Sequence, residues 1–126
     1  MLRGALVLAL VAASGPVVAA DPSSLLAAAF GNTIVSTYPD GRTAELWLQP
    51  GGLYTAEGRE RDHSHGRWWV KDDRLCLKQA HPFAFGYVYC TRLSQFSTGS
   101  IWISKAVTGE TIQITLVRGI RSKSDG

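Results

Sequence analysis

The residues with which this chain could do chemistry are three histidines, two cysteines and a scatter of carboxylates. His63-Ser64-His65 places two imidazoles on one face if the segment is extended, with Glu60 and Asp62 nearby. Zinc asks for three or four convergent ligands. The remaining histidine, His81, falls on a different loop, so the pair reads as solvated side chains in a charged turn and no metal site is assigned. Nucleophilic catalysis has no Gly-x-Ser-x-Gly elbow to rest on, and no cysteine stays free if the two are bridged. Glu45 and Glu57 fall on neighbouring strands, where paired carboxylates could cleave a glycoside, but surface acids are the ordinary case. No glycine loop precedes a helix as a phosphate cradle would. These residues assign no catalytic group and no cofactor.

Cys76 and Cys90 pair most simply as one disulfide. Closing a loop of about fourteen residues would stabilise a fold by roughly 3 kcal/mol in the chain-entropy model. A redox role fits poorly, since the spacing is far from Cys-x-x-Cys and no adjacent base would lower a thiol pKa. Between the two cysteines lies the longest loop, His81-Pro82-Phe83-Ala84-Phe85-Gly86. Its two phenylalanines could lid a cavity or form a plug; the simpler alternative is that they close one end of a barrel.

The elements that must position these groups are short strands. Asp21-Pro22-Ser23-Ser24 opens a short helix that runs to Phe30, with Gly31 as its left-handed end. From Thr33 the period becomes two. Thr33 to Tyr38, Thr43 to Gln49, Leu53 to Arg59, Gly66 to Val70, Leu75 to Leu77, Tyr87 to Cys90, Ile101 to Val107 and Thr111 to Val117 read as eight strands. Turns at Pro39-Asp40-Gly41, Pro50-Gly51-Gly52, Asp72-Asp73 and Thr108-Gly109-Glu110 join them. Even spacing and short turns predict an all-β antiparallel meander that rolls into a small barrel and hides its edges. With no long helices alternating, a parallel α/β sheet is excluded.

Alternation proposes an inner face of Ile34, Leu46, Leu48, Tyr54, Trp68, Val70, Leu75, Leu77, Tyr87, Tyr89, Ile101, Ile103, Ile112, Ile114 and Leu116. Gly66 leaves room for the Trp68 indole on that face. Cys76 and Cys90 then point outward, as do Trp47, Trp69 and Trp102. The N-terminal helix covers Trp47 or Trp69, and Trp69 and Trp102 are candidates for a protein-contact surface. Trp68, Tyr87 and Tyr89, with Phe83 and Phe85 at the mouth, are candidates to bind a small ligand.

Arg3, the apolar run Ala5 to Ala13, the Gly15-Pro16 break and Val18-Ala19-Ala20 read as a signal peptide over residues 1–20. The apolar run is too short for a transmembrane helix, which needs about 20 apolar residues. Residues 21–118 then form one domain, and 119–126 form a frayed tail. Lys and Arg outnumber Asp and Glu by 13 to 10, a net charge of +3. That excess is weak and scattered, which argues against nucleic acid. The chain is expected to be exported, to the periplasm or beyond.

The succession Phe30-Gly31-Asn32-Thr33, Gly66-x-Trp68, Leu75-Cys76-Leu77 and Tyr89-Cys90, over residues 30–93, resembles a group of small exported proteins of proteobacteria, mostly of unassigned function. The resemblance implies a periplasmic address. The architecture is similar to calycin-type barrels, among them lipocalins, avidins and the small periplasmic inhibitors of secreted metalloproteases. Lipocalins carry Gly-x-Trp on the first strand, and this chain carries it on the fourth. The functional expectation is a non-catalytic binding domain for a small apolar ligand or a periplasmic protein. Inhibition of a secreted hydrolase is the alternative, and a small enzyme using Glu or His the second alternative.

Overall fold

The computed structural model describes residues 22–92 and 98–121. The proposed signal peptide and residues 122–126 of the tail lie outside the described residues. A 3₁₀ helix, η1 (Pro22–Ala29), leads into eight strands: β1 (Thr33–Thr37), β2 (Thr43–Gln49), β3 (Leu53–Glu57), β4 (His63–Lys71), β5 (Arg74–His81), β6 (Val88–Arg92), β7 (Ile101–Lys105) and β8 (Thr111–Val117). The helical segment is 3₁₀ where capping signals predicted an ordinary helix end.

All the strands belong to one antiparallel sheet in the order β6-β5-β4-β3-β2-β1-β8-β7. Six of the seven pairings join strands adjacent in sequence. The one long-range closure is β8 against β1, in register from Thr33 opposite Val117 to Thr37 opposite Gln113. The sheet curls into a nearly closed barrel, with β6 and β7 facing each other across a seam. That seam is bridged by side chains: the Tyr89 hydroxyl donates to the Lys105 carbonyl, and Thr91 and Ser104 hydroxyls meet at 2.6 Å.

The alternating chain direction sorts the loops to two ends. The lower end holds η1, the Pro50–Gly52 turn and the Asp72-Asp73 turn. There Leu26, Ala29 and Leu116 are fully buried, with Ile34, Leu48, Tyr54 and Leu75 around them. Phe30 stacks obliquely on Trp68 at 5.9 Å, and the Trp68 indole N–H donates to the Gln49 carbonyl at 2.9 Å. The helix therefore plugs the barrel floor, and its described side chains pack there beside Trp68, not on the outer-face Trp47 or Trp69 they were expected to meet. The upper end holds the loops 38–42, 58–62, 82–87 and 106–110.

Alternation assigned most strands to the correct face. Strand β7 is the exception. Trp102 lies opposite Ile114 and packs on the core, whereas Ile101 and Ile103 are 62% and 65% exposed. An Ile-Trp-Ile run is apolar on both faces, so hydrophobicity could not choose between them. Gly66 also has a different reason from the one expected. A β-bulge shifts the β4–β5 register beside it, and a Cβ there would sit 2.1 Å from the Lys78 carbonyl oxygen. The glycine admits the neighbouring backbone, not the indole.

The tail is tied down at its start. The Thr33 hydroxyl, in a fully buried residue, donates to the Gly119 carbonyl at 2.7 Å and accepts from the Trp47 indole and the Arg121 amide at 3.0 and 2.9 Å. Gly119 N–H donates to the Asn32 side-chain oxygen. Residues 119–121 are thus a strap and not a frayed end, and they hold the half-buried Trp47 in place. Thr33→Val keeps the shape and β-propensity but leaves buried polar partners unmatched. It is expected to cost about 1–3 kcal/mol in urea unfolding and to speed proteolysis beyond Gly119; an unchanged midpoint would refute the strap.

Candidate functional site

Above the plug the barrel is hollow. A cavity of about 400 Å³ runs up to the loops of the upper end. Inward-facing residues of nearly every strand wall it, including Leu46, Ala56, Leu77, Tyr89, Trp102 and Ile112. These side chains come from strands far apart in sequence and converge because each strand turns one of its two alternating faces inward. Ser36, Ser64 and Gln79 add uncharged polar groups among the apolar ones, and Glu45, Glu57, Asp62 and Arg92 add charged ones. A mostly apolar hollow with sparse polar groups is the usual make-up of a small-molecule site, and the volume lies in the lower part of the typical range of about 300–1,000 Å³.

The aromatic candidates divide among three places. Tyr87 and Tyr89 line the cavity, and so does Trp102, which was expected on the outer face. Trp68 belongs to the floor, against Phe30, and is not among the lining residues. Phe83 and Phe85 contact each other at 5.1 Å and stand 71% and 90% exposed above the mouth. Ala84 between them is the part of the loop that meets the cavity. Trp69 remains on the convex face, opposite Cys76, as alternation predicted. Cys76 and Cys90 form the disulfide, also in direct register across β5 and β6. The bridge clamps the two strands below the Phe83–Phe85 loop.

The mouth is framed by ions on one side. The Arg59 guanidinium holds Glu110 in two-pronged contact at 2.7 and 3.4 Å, reaches Asp40 at 3.3 Å and lies 4.1 Å over the Tyr38 ring. Asp40 in turn pairs with Arg42 at 2.9 Å. Three hairpin tips, those of β1–β2, β3–β4 and β7–β8, are joined by this one arginine. The hydrogen bond from Arg59 holds the Glu110 carboxyl below the usual carboxylate range, helped by Thr108. The Arg42 backbone N–H does the same for Asp40. Burial pushes the Tyr38 and Tyr54 phenols up.

Glu45 and Glu57 are directly opposite each other in β2 and β3, as proposed, but both are buried instead of lying on the surface. Thr43 donates a hydrogen bond to Glu45 at 2.9 Å. Although strict alternation would place them on the face of Trp47 and Thr55, both are among the residues that line the cavity. His65 stacks on His81 at 5.5 Å across the β4–β5 ladder, and not on His63. Among the described residues, no three His, Cys, Asp or Glu side chains are grouped as a metal cage. No helix among them is long and apolar enough to cross a membrane.

No family model, curated protein or solved structure matches this chain. The barrel's contents are therefore the basis on which its function is read.

The rim yields a pH prediction. Depressed folded-state carboxyl pKa values contribute stability that is present above the unfolded value, about 4, and lost as pH falls through the folded value. Arg59→Gln should lower the melting temperature at neutral pH. The gap from wild type should narrow as pH drops through and below about 4. A gap that stays constant to pH 2 would show that Arg59 acts through packing alone.

Proposed function

We propose that this protein is an exported, non-catalytic binding domain that takes a small apolar ligand into its barrel. The observation that carries the reading is the cavity: a largely apolar hollow closed below by a helix and open above. Its wall is mostly apolar, and its charged members are three acids, Glu45, Glu57 and Asp62, and one cation, Arg92, which disfavours an anionic ligand. Tyr87 and Tyr89 supply amphipathic wall area near the mouth, Leu46, Leu77 and Trp102 the apolar body of the site, and Phe83 with Phe85 a lid-like loop above it. The Arg59 network holds the opposite rim open. Export is supported by the leader-like residues 1–20 and by the disulfide, which oxidising compartments favour. The periplasmic address implied by the proteobacterial resemblance fits the same reading.

The test uses N-phenyl-1-naphthylamine, a neutral apolar dye that brightens in apolar sites. Saturable binding at one dye per protein is expected. Ala56→Trp, which fills the hollow from β3 between Leu46 and Ser64, should weaken it by about tenfold or more while leaving the fold intact. Absence of saturable binding, or equal binding by the filled variant, would overturn the reading.

A further inference from the structure

The basic residues that look scattered in sequence are gathered by the sheet. On the convex face of β4, β5 and β6, Arg67 lies opposite Lys78, Lys71 opposite Arg74, and Arg74 opposite Arg92. Every one of these five side chains is exposed. Like charges directly across a ladder destabilise it, so this arrangement works against the fold that carries it. The acids nearest to it are Asp72 and Asp73 in the turn at its lower edge, and Asp73 approaches Arg92 only to 3.7 Å. By contrast, the acids at the mouth are tied to Arg42 and Arg59. The face therefore carries a net positive charge, five cations against two aspartates at its edge, with Trp69, 36% exposed, near its centre. The disulfide beneath it fixes β5 to β6 and so fixes the spacing of Arg74, Lys78 and Arg92.

The same β5–β6 hairpin ends in Phe83 and Phe85, the two most exposed large apolar side chains among the described residues. Val88 continues the apolar surface onto the convex face at the top of β6. Cations beside protruding aromatics, on one hairpin, match a surface that is anionic outside and apolar just beneath.

We propose that this protein docks on anionic lipid surfaces through the convex face of β4–β6 and the Phe83–Phe85 tip. Lys and Arg are drawn to acidic headgroups. Trp69 sits at headgroup level, where indoles concentrate. The Phe pair enters the boundary between headgroups and acyl chains. A soluble polyanion would satisfy the cations but leave the Phe pair in water. A single nucleic-acid strand would want a groove to follow, and this face is convex. The inference stands apart from the cavity reading, since none of its cations but Arg92 lines the hollow.

The protein as recovered from cells, with its N-terminus defined by mass, is floated with vesicles of phosphatidylcholine alone or with phosphatidylglycerol added. Binding is expected only with phosphatidylglycerol and should fall as salt rises. A variant carrying Arg67→Gln, Arg74→Gln, Lys78→Gln and Arg92→Gln should melt at or above the wild-type temperature, because like-charge pairs are relieved. It should bind vesicles at least about tenfold more weakly. Phe83→Ser with Phe85→Ser, both exposed positions, should also lose partition at unchanged stability. The cavity-filled Ala56→Trp should bind vesicles normally, which separates this proposal from the dye experiment. Equal binding to both vesicle types, full retention by the charge variant, or capture by heparin or single-stranded DNA with no lipid binding would overturn it.

Discussion

The ladder between β1 and β8 is the contact on which the rest of the molecule depends. Every other pairing joins strands adjacent in sequence and could form in an open, flat meander. Only this one brings the two halves of the chain together, and it carries the largest loop-closure cost. It also decides the two ends of the barrel. Because β1 follows η1 and β8 precedes the strap, both terminal segments arrive at the same end. One plugs the floor with Leu26 and Ala29, and the other crosses Thr33 and Trp47 outside it. The opposite end has only hairpin tips to cover it, and so it stays open.

Much of this was legible in the residues. Period-two runs separated by Gly, Pro and Asp turns place all eight strands, and the Asp72-Asp73 turn is where it was read. The disulfide follows from there being two cysteines, and alternation puts Cys76 opposite Trp69, although Cys76 is buried there. What escaped was decided by contacts between distant positions. The face of β7 depends on Trp102 meeting Ile114, which Ile101-Trp102-Ile103 cannot announce by itself. The bulge at Gly66 depends on where the β5 backbone passes. The strap depends on one buried hydroxyl, Thr33, that satisfies three partners. The two glutamates looked like surface acids because burial is a property of the assembled sheet.

Charge shows the same division. The net of +3 is small enough to suggest nothing in sequence. Folding separates it into a rim where acids and bases neutralise each other and a flank where bases face bases. Arg74 and Arg92 are far apart along the chain and become neighbours only through the hairpin that the disulfide clamps. A small imbalance thus becomes a strong local field, because near neighbours set the potential more than totals do.

The seam between β6 and β7 has a mechanical meaning. Around most of the circumference the girth of the barrel is fixed by backbone ladders, which cannot lengthen without losing several hydrogen bonds together. At the seam, among the described residues, it is held by side-chain clasps, Tyr89 to Lys105 and Thr91 to Ser104. The barrel is a split ring. Releasing such clasps lets its radius change while every ladder stays intact, so the size of its interior is adjustable in a way that a fully hydrogen-bonded cylinder of the same strand number is not.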